Sequence, residues 1–185
     1  MIVKICGITL RQDAEIAAQA GADAIGFIFY KPSPRYVAPE KAGELGKGLN
    51  LWKVGVFVDE IPDDSTIADA KLDVIQVYGK APDRLTMRFW QAVRVPEAGA
   101  FEWAPASGEA LLLDGPASGI SFDWKRLSEF EEKIIIAGGL DASNVTEAIR
   151  VARPWGVDAS SRLESAPGIK DPEKVRRFIE KAKSC

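Results

Sequence analysis

Histidine is missing from this sequence of 185 residues. Histidine has the side chain whose ordinary pKa lies closest to neutral pH, and it is the commonest metal ligand in proteins. Any acid–base chemistry must therefore fall to Cys, Asp, Glu, Lys or Tyr. The sequence predicts no metal site.

Cysteine is scarce as well. The two cysteines, Cys6 and Cys185, lie at opposite ends of the chain and do not make a disulfide framework, which favours a reducing compartment. No apolar run approaches the length of a membrane span. Residues 2–5 are too few and too early for the apolar core of a secretory signal. We therefore expect a cytoplasmic protein with no membrane partner.

The chain also lacks a strong excess of charge of either sign. It has 24 Lys and Arg against 27 Asp and Glu, a formal net charge of −3 and a pI of about 5.2. This balance gives no electrostatic reason to expect binding to nucleic acid or to an anionic membrane. An anionic ligand would have to be held by local hydrogen-bond donors.

Short runs rich in Val and Ile alternate with longer polar or amphipathic segments. Such an alternation predicts a parallel sheet with right-handed helical crossovers, and eight repeats favour closure into a barrel. We predict one α/β domain over residues 1–185, a compact (β/α)8 TIM barrel. The predicted strands are 2–5, 24–29, 53–58, 74–77, 89–93, 110–113, 133–137 and 156–159.

Three helix starts are marked by residues that suit a helix N-terminus: Thr9 as a cap, Pro39 at the first helical position, and Asp171 before a proline. Residues 96–108 carry prolines and glycines and predict a degenerate helix after the fifth strand. The alternative fold is an open doubly wound sheet. It is less favoured because Cys6-Gly7-Ile8-Thr9 is not a glycine-rich dinucleotide-binding turn.

Unusual residues stand where the predicted strands end, which is where barrel enzymes place their active sites. Because side chains alternate along a strand, Lys4 and Cys6 share the face opposite Val3 and Ile5. Taken singly, a strand-end cysteine can be a small packed residue, an aspartate a turn former, and Gly-Gly a tight turn. Their joint placement favours a site made of Cys6, Asp114, Gly138, Gly139, Asp158, Ser160 and Ser161.

An ordered series of motifs resembles the phosphoribosylanthranilate isomerase family over nearly the whole chain. The first motif is the most specific of the series. The motifs are Val3-Lys4-Ile5-Cys6-Gly7-Ile8-Thr9, Ser33-Pro34-Arg35-Tyr36-Val37, Leu112-Leu113-Asp114, Ala137-Gly138-Gly139-Leu140, Val157-Asp158-Ala159-Ser160-Ser161 and Pro167-Gly168-Ile169-Lys170-Asp171.

The resemblance implies an Amadori rearrangement of N-(5'-phosphoribosyl)anthranilate in tryptophan biosynthesis, without metal or cofactor. It implies that Cys6 is the general base and Asp114 the general acid. By the same resemblance Arg35 pairs with the anthranilate carboxylate and Asp158 faces the anthranilate. The implied phosphate ligands are Gly138, Gly139, Ser160 and Ser161. We expect a phosphorylated small-molecule substrate and a monomer or weak homodimer.

For these roles we expect the charge of Lys4 to favour the thiolate of Cys6, and a dry environment to keep Asp114 protonated. Three positions depart from the family pattern. Tyr78 replaces a histidine, Gln91 a lysine, and Arg162 a glycine of the phosphate loop, where the arginine either crowds the loop or supplies a cation. Two alternatives stay open: a paralogous ribose-phosphate isomerase barrel, and a non-catalytic barrel that binds phosphorylated ligands.

Overall fold

A computed structural model describes residues 1–79, 87–99, 108–127, 130 and 132–185. In it, eight parallel strands pair in chain order and the first pairs with the eighth, so the sheet closes into a barrel. The strands are β1 (Ile2–Ile5), β2 (Ala24–Ile28), β3 (Trp52–Val58), β4 (Val74–Tyr78), β5 (Arg88–Arg94), β6 (Ala110–Asp114), β7 (Ile134–Ile136) and β8 (Gly156–Ala159).

Helices follow most of these strands. They are α1 (Arg11–Gln19), α2 (Pro39–Leu45), α3 (Asp64–Ala70), α4 (Val145–Ala152) and α5 (Pro172–Lys183), with short 3₁₀ helices at Trp124–Leu127 and Ser161–Leu163. A small antiparallel pair, β9 (Glu164–Ala166) and β10 (Ile169–Lys170), precedes α5. None of the helices in the described ranges is long and apolar enough to cross a membrane.

The predicted barrel is confirmed, and every predicted strand end lies within one residue of the observed one. Between β5 and β6, residues 95–99 and 108–109 form no helix. The rest of the segment predicted to hold a degenerate helix, residues 100–107, lies outside the described residues.

Two of the three predicted helix starts are confirmed. Pro39 is the first residue of α2, and the Asp171 carboxylate accepts hydrogen bonds from the first backbone N–H groups of α5. The prediction for Thr9 is wrong. Leu10 caps α1, and the Thr9 hydroxyl donates instead to the carbonyl of Gly168, which ties the loop after β1 to the β9–β10 hairpin.

The core has two layers, as the alternation of side chains along a strand requires. Val3 and Ile5 belong to the layer between strands and helices. A second cluster, which includes Val54, Trp90 and Leu112, fills the barrel interior. The prediction that Lys4 faces inward is confirmed, because its Nζ contacts Asp158 of β8. The outer layer therefore fixes which side chains of each strand reach the barrel axis.

Candidate active site

One cavity opens at the C-terminal ends of the barrel strands, and all eight predicted site residues line it. They come from the ends of β1, β6 and β8 and from the loops after β2, β7 and β8. These residues are Cys6, Arg35, Asp114, Gly138, Gly139, Asp158, Ser160 and Ser161. Their placement agrees with the strand-end argument, and their individual roles stay predictions.

At the floor of this cavity, Cys6 lies beside a buried ion pair. Lys4 and Asp158 stand opposite each other in the β1–β8 register, and Lys4 Nζ lies 2.7 Å from Asp158 Oδ2. A Cβ at Gly26 of β2 would lie 2.7 Å from Cys6 Sγ and 3.1 Å from Lys4 Nζ. Any larger residue at that position would therefore displace the thiol and the ammonium group from each other.

Burial and the neighbouring charges together set the pKa values of Cys6 and Lys4. Burial raises the pKa of Cys6 and the nearby charge of Asp158 adds to the rise, whereas Lys4 lowers it by less, so the net shift is upward. Burial opposes the charge on Lys4, but Asp158 and Cys6 outweigh it and the pKa of Lys4 is raised. The expected direction of the Lys4 effect is confirmed, because Lys4 lowers the pKa of Cys6, but burial outweighs it and the net shift of that pKa is upward.

Asp114 enters the cavity from the end of β6. Tyr78 Oη donates to its Oδ2 at 2.9 Å, and Arg94 Nη1 lies 3.4 Å from the same oxygen. Burial raises the pKa of Asp114, and the contacts with Tyr78 and Arg94 offset only part of that rise. The net direction is the one that a carboxyl group needs in order to hold a proton.

Arg35 reaches the cavity from the loop after β2 and is held there by Glu164. Arg35 Nε and Nη2 each donate at 2.7 Å to a different carboxylate oxygen of Glu164. Lys170, itself fully buried, donates to Glu164 Oε1 at 2.9 Å and contacts Ser160 O at 3.3 Å. This network joins the arginine of the β2 loop to the serine loop after β8.

The glycines after β7 are required by close backbone approach. Gly138 has a φ of 83° and Gly139 a φ of 62°. A Cβ at Gly138 would lie 2.3 Å from the backbone nitrogen of Gly115, and one at Gly139 would lie 2.6 Å from that of Ser121. The loops after β6 and β7 therefore pack directly on each other at the edge of the cavity.

The departures from the family pattern divide into two groups. Tyr78 and Arg162 line the cavity, whereas Gln91 does not, and its Nε2 donates to Gly79 O at 2.7 Å. Arg162 lies in a 3₁₀ helix without positive φ and pairs with Asp141 at 2.9 Å. An arginine at this position therefore causes no backbone strain.

Sequence reasoning missed three residues of the site: Arg94, Glu164 and Lys170. Arg94 could have been found, because it is two residues beyond Ala92 of the barrel interior and so shares its face. Lys170 stands in the last of the motifs and Glu164 in none of them, and no sequence signal pairs either residue with Arg35. Within the described ranges, no cluster of three or more Cys, Asp or Glu could hold a metal ion.

A closed parallel barrel with a buried thiol and a buried carboxyl at the C-terminal ends of its strands defines the class of (β/α)8-barrel enzymes. Within that class, residues 3–181 match the family model of N-(5'-phosphoribosyl)anthranilate (PRA) isomerase. The chain belongs to the N-(5'-phosphoribosyl)anthranilate isomerase family.

Individual relatives agree with this assignment over their whole length. An N-(5'-phosphoribosyl)anthranilate isomerase of Solibacter usitatus is 47% identical, covering 100% of this chain and 98% of the relative. The crystal structure of the Thermus thermophilus phosphoribosyl anthranilate isomerase superimposes with a TM-score of 0.89 at 36% identity, covering 100% of this chain and 99% of that one. A further isomerase structure is a complex with reduced 1-(o-carboxyphenylamino)-1-deoxyribulose 5-phosphate, with a TM-score of 0.84, 34% identity and 100% coverage of both chains.

Proposed function

We propose that this chain converts N-(5'-phosphoribosyl)anthranilate to 1-(2-carboxyphenylamino)-1-deoxyribulose 5-phosphate in tryptophan biosynthesis, with Cys6 as general base and Asp114 as general acid. The observation that carries the assignment of roles is that a thiol and a carboxyl reach one cavity from β1 and β6, in a chain without histidine. Membership of the family favours this reaction over a paralogous ribose-phosphate isomerase or a non-catalytic barrel.

The first step is protonation of the furanose ring oxygen by Asp114. The C1'–O bond then breaks, its electron pair stays on the oxygen, and the anilino nitrogen forms a double bond to C1'. The raised pKa of Asp114, caused first by burial, supports this role because it increases the protonated fraction at a given pH.

The second step is removal of the C2' proton by the thiolate of Cys6. The electrons of the C–H bond form a C1'=C2' double bond while the pair of the C1'–N double bond returns to nitrogen, which gives an enolamine. Addition of a proton at C1' and loss of the proton of the C2' hydroxyl then give the ketose product. The buried ammonium group of Lys4 lowers the energy of the thiolate, and the ion pair with Asp158 holds Lys4 in place.

Substrate binding uses the two ends of the cavity. Backbone N–H groups and hydroxyls of the loops after β7 and β8 hold the phosphate, which agrees with the absence of an overall positive charge. The phosphate ligands that we propose are Gly138, Gly139, Ser160 and Ser161. Arg35 pairs with the anthranilate carboxylate through Nη1, since Nε and Nη2 are held by Glu164, and Asp158 faces the anthranilate ring.

The protein works in the cytoplasm as a monomer or weak homodimer. In support, one chain supplies all eight proposed site residues, so that no second copy is needed to complete the site. Sedimentation velocity over a range of concentrations tests the state of association, and a dimer that persists at nanomolar concentration would contradict a weak one.

The reaction is tested by following the loss of substrate fluorescence with the purified chain. We expect turnover by the wild type and a loss of about 10²-fold or more in kcat for Cys6→Ser and for Asp114→Asn. Cys185→Ser is the matched control, because it makes the same chemical change at an exposed cysteine. No turnover by folded wild-type protein would reject the function, and full activity of Cys6→Ser would reject the assigned base.

A further inference from the structure

We infer that Tyr78 is a positioning residue that occupies Oδ2 of Asp114 and thereby assigns the catalytic proton to Oδ1. This inference rests on the proposed function, because it concerns how the proposed acid is held. Tyr78 stands where the family pattern has a histidine, so the arrangement reflects this chain's own sequence.

Two side chains contact the same oxygen of the Asp114 carboxyl, and a hydrogen bond from the backbone N–H of Gly115 also lowers the pKa of this group. Tyr78 Oη donates to Oδ2 at 2.9 Å, and Arg94 Nη1 lies 3.4 Å from that same atom. Protonation is unfavourable at an oxygen that already accepts a hydrogen bond and lies near a cation. The proton of the acid form therefore belongs on Oδ1.

Tyr78 acts only as a donor in this contact. Burial raises the pKa of its hydroxyl well above the ordinary value, and the neighbouring charge of Asp114 raises it further. The phenol therefore keeps its proton throughout the working pH range and transfers none. Its part is to fix the carboxyl group, not to exchange protons with the substrate.

Strand pairing sets the position of this donor. Tyr78 is the last residue of β4 and pairs with Ala92 of β5, while Arg94 pairs with Asp114 of β6. The Arg94 guanidinium lies 5.4 Å from the centre of the Tyr78 ring, so that ring, guanidinium and carboxyl form one contiguous group across three strands. The ring also packs on the apolar cluster inside the barrel.

Other charged groups act on the same carboxyl without occupying Oδ2. Lys4 lowers the pKa of Asp114, and Asp158 interacts with it unfavourably. Cys6 joins Asp114 and Asp158 in raising the pKa of Tyr78. Because these groups stay in place when only the Tyr78 hydroxyl is removed, the effect of that one hydrogen bond can be measured separately.

The experiment compares Tyr78→Phe and Tyr78→His with the wild type, and Tyr36→Phe is the matched control. Tyr36 is an exposed tyrosine that does not line the cavity. The carboxyl pKa of Asp114 is read by ¹³C NMR in the free protein, with Asp114→Asn used to assign the resonance. Steady-state kcat and KM are measured on the same samples.

Tyr78→Phe removes a donor that favours the carboxylate, so the titration of Asp114 should move to higher pH. Its kcat should fall about tenfold with KM within about twofold, because a loosely held acid is less often in line with the ring oxygen. Tyr78→His restores an N–H donor and should return kcat to within about threefold of the wild type. Tyr36→Phe should change none of these quantities.

The positioning role of Tyr78 and the acid role of Asp114 are tested by different outcomes. If Asp114→Asn is inactive while the Asp114 titration is the same in wild type and Tyr78→Phe, only the role of Tyr78 is rejected. The same holds if Tyr78→His is as slow as Tyr78→Phe, because a donor at this position would then be irrelevant. If Asp114→Asn is fully active, the proposed acid itself is rejected, whatever the titration shows.

Discussion

Arg35 and Glu164 form a bidentate ion pair, in which Nε and Nη2 of the arginine each lie 2.7 Å from one carboxylate oxygen. Both side chains are largely buried, with 14% and 5% of their surfaces exposed. The pair connects the loop after β2 to the segment that follows β8. The proposed anthranilate-binding cation is therefore fixed in direction before any ligand arrives, which reduces the entropy lost on binding.

Glu164→Gln should weaken substrate binding and leave the chemical step almost unchanged. The amide cannot hold Arg35 by two charged contacts, so we expect KM to rise about tenfold while kcat changes little. Removing one charge from this buried network should also lower the free energy of unfolding by about 3 kcal/mol. Glu15→Gln is the matched control, because Glu15 pairs with Arg11 on the exposed face of α1. Urea denaturation and steady-state kinetics measure both effects, and an unchanged KM would contradict the positioning of Arg35.

Lys4→Met should change both the stability of the protein and the pKa of Cys6. Asp158 would be left buried and unpaired, so we expect a loss of about 3–5 kcal/mol in the free energy of unfolding. Lys4 also lowers the pKa of Cys6, so its removal should move thiolate formation to higher pH. The thiolate is followed by ultraviolet absorbance in a Cys185→Ser background, in which Cys6 is the remaining cysteine.

A double variant separates the two effects of Lys4. Lys4→Met with Asp158→Leu removes both buried charges, and it should recover most of the stability that the single variant loses. The thiolate should still form at higher pH than in the wild type, because Lys4 lowers the pKa of Cys6 by more than Asp158 raises it. Equal stability of the single and double variants would contradict the ion pair as the cause of the loss.

Much of this site could be predicted because parallel strands repeat a simple pattern. The alternation of buried side chains placed Lys4 on the inner face, and each strand end followed from the point at which its apolar run stops. The same rule, applied to β5, would have found Arg94. What it could not find is the partner of Arg35, since Glu164 is 129 residues away and any acidic residue near the rim would fit the sequence equally well.

The net direction of the Cys6 pKa shift could not be predicted from the sequence. The neighbouring residue Lys4 suggested a stabilised thiolate, but the sequence does not reveal how deeply the thiol is buried. Nor does it show that Asp158 neutralises the same ammonium group. Burial and the acidic neighbour together outweigh Lys4. The net shift depends on the distances among Cys6, Lys4 and Asp158, which are known only from the folded structure.

The pH dependence of kcat/KM follows from these shifts. The productive form has Asp114 protonated and Cys6 deprotonated, and the ordinary pKa of a carboxyl lies far below that of a thiol. The product of the two fractions is therefore constant between the two pKa values and falls outside them. Because both pKa values are raised, first by burial, both limbs of the profile should lie at higher pH than for free side chains.

The assignment of the limbs is checked by substitution. Tyr78→Phe should move the acidic limb to higher pH and leave the basic limb unchanged, because it acts on Asp114. Lys4→Met should move the basic limb to higher pH, because Lys4 lies against Cys6, and it should also move the acidic limb to higher pH, because Lys4 lowers the pKa of Asp114. A profile whose acidic limb does not respond to Tyr78→Phe would mean that the limb reports another group, such as the substrate phosphate.

Arg162→Gly tests whether the phosphate loop needs the arginine that this chain carries. Arg162 is about half exposed and pairs with Asp141 rather than with a buried partner, so its ion pair should contribute less than about 1 kcal/mol to stability. We expect KM within about twofold of the wild type, since backbone and serine donors suffice for the phosphate. Arg162→Ala serves as control for the added backbone freedom of glycine. A tenfold rise of KM in both variants would instead identify Arg162 as a phosphate ligand.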